Sequence, residues 1–113
     1  MNVSYPKESD RHVHNCDECE FLGRIDYGGK PHDLYIHSLT ACRTPQSRRL
    51  GWNLTARYGS NKAAADTYIV FANASKLQLE ETLKNPLAKL AWEVAIDAGA
   101  LDMSGMVGEA LTA

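Results

Sequence analysis

Six soft-ligand side chains crowd the first part of this chain: His12, His14, Cys16 and Cys19, then His37 and Cys42. Cys16-Asp17-Glu18-Cys19 is a C-x-x-C pair, and a second pair follows across a strand-like segment. A C-x-x-C turn presents two sulfurs to one point, and a structural zinc takes four such ligands in a tetrahedron. The chain has 113 residues, enough for one modest core. A bound ion would supply the constraint that a polar first half lacks.

The first-choice ligand set is Cys16, Cys19, His37 and Cys42, with His14 and His12 as rivals for the fourth place. His37 closes the return strand of an expected hairpin, beside the segment before Phe21, and the loop after it can carry Cys42 back. Zn2+ held this way is structural. A catalytic ion needs an open position with a general acid or base beside it, and Glu18 and Glu20 read as ordinary surface carboxylates. Two rival readings are unliganded thiols with surface histidines, and a redox pair. A redox C-x-x-C follows a buried strand and opens a helix, whereas this one follows polar residues and precedes a strand. Three cysteines, an odd number, suit ligands mixed with histidine better than paired disulfides.

Other catalytic signatures are missing. Gly28-Gly29 is a turn rather than a phosphate loop, no G-x-S-x-G occurs, and no spacing of Ser, His and Asp singles out a triad. The chain therefore reads as a non-enzyme. A small metal-dependent hydrolase using His12, His14 and Glu18 is kept as a third-ranked reading.

The pattern of elements predicts an α+β fold: a small antiparallel sheet with an N-terminal zinc knuckle, and one or two C-terminal helices packed on it. Glu20–Ile25 and Asp33–His37 read as a hairpin around an Asp26–Pro31 turn. Leu50–Tyr58 alternates Trp52, Leu54, Ala56 and Tyr58 against Gly51, Asn53, Thr55 and Arg57, the mark of a strand with one buried face. Thr67–Phe71 is β-branched and aromatic, a fourth strand. Ser75-x-x-Gln78 resembles a capping box, and Leu79 and Leu83 sit one turn apart. Asn85-Pro86 restarts the helix, whose stripe is Leu87, Leu90, Ala91, Val94, Ala95, Ala98 and Leu101, with Gly99 as a stop. The chain is expected to be a single domain, 1–113. Its knuckle and sheet occupy 12–60 and its helices 75–101, with 1–11 and 103–113 flexible.

Trp92 and Ile96 form an i,i+4 pair near the opposite side of the last helix from its stripe. Either the same domain covers them, or they are a contact for a partner or for a second copy in a homodimer.

Formal net charge is -2, which does not suggest bulk nucleic-acid binding. The distribution is uneven: residues 1–62 carry nine Lys/Arg against seven Asp/Glu, and residues 63–113 three against seven. Arg43, Arg48, Arg49 and Arg57 could form a basic patch, with Tyr35, Trp52 and Tyr58 for base stacking. That nucleic-acid-binding, zinc-ribbon-like module is the alternative function; the plainer reading of the arginines is a solvated edge. No apolar run is long enough to cross a membrane, and Met1–Asp10 lack the apolar stretch of a signal peptide, so the chain is expected in the cytoplasm.

Cys16-x-x-Cys19-x-Phe21-Leu22-Gly23, then Asp33-Leu34-Tyr35, then Ala56-Arg57-Tyr58-Gly59 resemble segments shared by a group of small, mostly uncharacterised bacterial and phage proteins. The resemblance covers roughly residues 12 to 100. Members place a Cys just after D-L-Y where this chain has His37, which supports His37 as a ligand; Cys42 has no counterpart, which favours His12 or His14. The resemblance implies a phage or mobile-element origin and a bacterial host cytoplasm. It does not hand over an activity, but similar small phage proteins often bind and block a host protein. With the missing catalytic motifs, the small size and the Trp92/Ile96 pair, the expected function is a zinc-stabilised protein-interaction module that inhibits a host protein or complex, such as a defence system, in an anti-CRISPR-like manner.

Overall fold

The structure is a computed structural model, and it describes residues 2–16, 18–41, 49–71 and 76–100. Its described strands are β1 (Glu20–Tyr27), β2 (Lys30–Ala41), β3 (Arg49–Arg57) and β4 (Ala65–Phe71). They form one antiparallel sheet in the order β1-β2-β3-β4. Helices α1 (Lys76–Leu83) and α2 (Pro86–Asp97) follow. The expected α+β class, with strands first and helices after, is what forms.

The hairpin is tighter than the sequence suggested. Gly28 and Gly29 take φ of 61° and 77°, the left-handed pair that a two-residue hairpin turn requires. Strand pairing therefore resumes at Lys30, and Pro31 lies inside β2 opposite Asp26. Pro31 is tolerated because β3 joins only at the Asp33–Arg57 pair, so no third strand asks for its missing N–H. At its other end β2 runs on to Ala41, past the expected loop start at Thr40. His37 thus sits in mid-strand rather than at a strand end.

A register shift between Phe21 and Gly23 decides which way β1 faces. Residues three apart on a regular strand point to opposite faces. The bulge sets Phe21 against Tyr35 and Arg24 against Asp33, so both join one face. Gly23 carries the distortion at φ 134°, and a Cβ there would run into the Val3 side chain.

One face of the sheet is apolar. Leu34 and Ile36 of β2, Trp52, Leu54 and Ala56 of β3 and Val70 of β4 pack with Leu79, Leu87, Ala91, Val94 and Ala95 of the helices. Asn85 caps α2 as expected: its side chain accepts from the N–H groups of Leu87 and Ala88 at 3.0 and 3.3 Å, with Pro86 in the first turn. Gly99, at φ 66°, ends it. Leu79 is buried and Leu83 packs against the core, as their spacing required. Ser75 lies outside the described residues, so the capping box cannot be placed; Leu101 and the 103–113 tail lie outside them too. Among the described residues no helix is long and apolar enough to cross a membrane.

Two expectations are corrected. Trp92 is 6 % exposed and meets Trp52 edge to face, ring centroids 6.4 Å apart. The sheet reaches around the helix far enough to cover it, so Trp92 is core and offers no surface to a partner. Ile96, at 44 % exposed, does remain at the surface. Residues 2–11 are not a loose end either. Ser4 bridges Arg24 through two backbone hydrogen bonds of 2.9 and 2.7 Å, Glu8–Asp10 form a 3-10 turn, and the Arg11 guanidinium lies 3.9 Å over the Phe21 ring.

Trp92→Ala should lower unfolding free energy in urea by about 3–5 kcal/mol, and Ile96→Ala by about 0.5 kcal/mol or less. A loss under about 1 kcal/mol for Trp92→Ala would contradict its place in the core.

Candidate metal centre

The second face of the sheet is polar and is crossed by the N-terminal arm. Asp33, Tyr35 and His37 alternate along β2, and the register sets Arg57, Thr55 and Asn53 of β3 beside them. The arm keeps the same period of two. The His12 N–H donates to Asp33 Oδ2 at 2.7 Å. The His14 ring stacks on Tyr35, centroids 4.2 Å apart and 25° between planes. Cys16 Sγ lies 3.3 Å from His37 Nδ1. Val13 and Asn15, between them, are exposed. Three alternate arm residues therefore meet three alternate strand residues.

Asp33 is the anchor. It is fully buried, yet its carboxylate accepts from Arg24 Nε at 2.5 Å, Arg24 Nη2 at 3.0 Å and the His12 amide. A buried carboxylate is tolerable only when paired and hydrogen-bonded in this way. Arg24 also donates to the Asp10 carbonyl at 3.0 Å, tying the start of the arm to the same charge pair. The hydrogen bond to Asp33 pushes the Arg24 pKa up. Burial pushes the Tyr35 phenol up, with the Asp33 charge adding to it, and the phenol donates to the His12 carbonyl at 3.4 Å.

The arm ends by delivering sulfur to the sheet. Cys16 and Cys19 bring their Sγ atoms together at disulfide distance. His37 Nδ1 stands 3.3 Å from one sulfur and 3.7 Å from the other. Zn–S bonds of about 2.3 Å and Zn–N bonds of about 2.0–2.1 Å put a sulfur and a nitrogen of one tetrahedral site about 3.5 Å apart, between those two values. Glu18 Oε2 approaches His37 Nε2 at 3.2 Å, which favours the proton there and leaves the Nδ1 lone pair toward the sulfurs. His14, Cys16 and Cys19 could together hold a metal ion, their ligand atoms lying within 4.8 Å of one another. The same two sulfurs can form a disulfide or bind a metal as thiolates, not both at once. The first of these states goes against the expectation that the cysteines serve only as ligands.

The other expected site residues fall out as follows. The His12 ring turns to the Pro31 carbonyl, Nε2 at 3.3 Å, whereas His14 lies beside the two sulfurs. Cys42, Arg43 and Arg48 lie outside the described residues, and Arg49 opens β3. Arg57 faces the arm: its Nε donates to His14 Nδ1 at 2.7 Å and its Nη1 to the Asn61 carbonyl at 3.1 Å. Tyr35 and Trp52 are buried and cannot stack on bases. Burial lowers the His14 pKa, and the Arg57 charge lowers it further.

Asp33, Tyr35, Asn53 and Arg57 were not recognised from sequence as parts of this site. The signal was available in His12-x-His14-x-Cys16 facing Asp33-x-Tyr35-x-His37, two alternating triplets of polar or ligating side chains.

Asp33→Ala leaves Arg24 without its partner and frees the His12 amide. It should cost about 3–5 kcal/mol in denaturant unfolding, and a cost below about 1 kcal/mol would deny the carboxylate its anchoring role. No family model matches the chain, and no curated protein or solved structure matches it either.

Proposed function

We propose that this chain is a zinc-stapled binding module whose ion ties the N-terminal arm to β2. The observation that carries the proposal is His37 Nδ1 at 3.3 and 3.7 Å from the sulfurs of Cys16 and Cys19, with Glu18 behind the ring. Two thiolates and an imidazole are a donor set that suits zinc, and the carboxylate behind the histidine is the usual outer partner of such a ligand. The ion closes a loop between residue 16 and residue 37. Its part is to fix the arm rather than to perform chemistry.

The module's task is to bind another protein. The arm face presents Val13 and, at the neighbouring edge strand β4, Ile69, which are 56 % and 50 % exposed. A rigid, metal-set arm holds such side chains in place for a partner at low entropic cost. In the reading implied by the phage-protein resemblance, the partner is a host protein or complex and binding inhibits it. The nucleic-acid alternative is weaker, because Arg57 and Tyr35 serve the arm and Trp52 serves the core.

Reduced, purified protein should carry one zinc per chain. Saturating zinc should raise Tm of the metal-free protein by on the order of 10 °C, and Cys16→Ser and His37→Ala should lose both the metal and the shift. Reduced protein that retains no zinc and melts identically with zinc or chelator would contradict the proposal.

A further inference from the structure

We propose that a metal on Cys16, Cys19 and His37 keeps a fourth, exchangeable position, filled by a small oxygen donor held between His14 and Asn53. The inference rests on the metal reading above and adds an open site to it. Its ligand class is water or hydroxide, replaceable by a small monodentate anion.

The argument begins with two buried atoms. Among the described residues, the buried side-chain nitrogen and oxygen atoms without a hydrogen-bond partner are His14 Nε2 and Asn53 Oδ1. Both residues line one cavity of about 290 Å3, and so do Cys16, Cys19 and His37. A buried polar atom left without a partner is costly, so two in one cavity call for a common partner.

The tautomer of His14 says what that partner is. Arg57 Nε donates to His14 Nδ1 at 2.7 Å, which uses the Nδ1 lone pair. An imidazole whose Nδ1 accepts a hydrogen bond carries its proton on Nε2. An Nε2–H group is a donor and cannot itself ligate the metal. Stacking on Tyr35 holds the ring in this orientation. Asn53 Oδ1 is the complementary acceptor. A water molecule accepts from His14 Nε2–H, donates to Asn53 Oδ1 and gives its remaining lone pair to the metal. These three contacts are the usual number for a buried water. A zinc with three protein ligands leaves one position for it. Arg57 and Lys62, which also line the cavity, favour an anionic occupant.

Cobalt(II) and azide test this in the reduced full chain. Cobalt loading should give thiolate charge-transfer bands and the visible bands of a tetrahedral site. Sodium azide should then shift the visible bands saturably in the wild-type protein. In His14→Ala the azide should bind on the order of tenfold more weakly, having lost the Nε2–H donor. A wild-type spectrum that azide does not move would overturn the open site. If His14→Ala then gained a response to azide, His14 itself would be the fourth ligand. The wild-type titration decides without the variant. Absence of cobalt–thiolate bands in the wild-type protein is a separate result, and it would remove the metal centre along with its open position.

Discussion

A single buried carboxylate organises the polar half of this protein. Asp33 has no access to solvent, and its charge is tolerable only because Arg24 from β1 and the backbone of His12 from the arm converge on it. Each partner comes from a different segment. The pair fixes β1 against β2, and the amide fixes the arm against both. Once His12 is set, the extended chain places His14 over Tyr35 and Cys16 beside His37 by its own period of two. The Cys16/Cys19/His37 cluster is therefore a consequence of an anchor two alternate positions upstream.

The sheet divides its labour by face. Even-numbered residues of β2 and β3, such as Leu34, Ile36, Leu54 and Ala56, meet the helices, and odd-numbered ones, such as Asp33, Tyr35, His37 and Arg57, meet the arm. A one-residue slip between these strands would exchange the two sets and bury charge in the helical core. The bulge at Phe21/Gly23 brings β1 into the same arrangement, because it lets Phe21 and Arg24 serve the arm face together. Gly23 is the residue that permits it, through its positive φ and the lack of a side chain against Val3.

Much of the fold was legible because it rests on short-range signals. The alternation in Leu50–Tyr58, the Gly28-Gly29 turn and the Asn85-Pro86 helix start each declare themselves within a few residues. Trp92 was left open between core and partner contact because it lies off the aliphatic stripe. A helix seated on a twisted sheet buries a wider arc than that stripe marks out, and Trp52 reaches the arc from β3. The C-x-x-C pair and His37 were legible as a candidate ligand cluster, and the structure brings them together, while the places of Arg57, Asn53 and Asp33 were not legible. Their roles depend on which strand lies beside which. A lone Arg or Asn in a strand carries no mark of the side chain it will meet across the sheet. The arm failed to register as structure because it is polar and irregular, with its order coming from hydrogen bonds to the sheet instead of from apolar burial.

The central claim is that Asp33 locks the arm onto the sheet and so creates the site. Amide hydrogen exchange at His12, followed by NMR in reduced, metal-free protein, tests it most directly. The account predicts that this N–H exchanges as slowly as the neighbouring β2 amides, since its acceptor is a buried carboxylate 2.7 Å away. Exchange as fast as in an unstructured peptide would show that the arm is not held by Asp33, and would contradict the account.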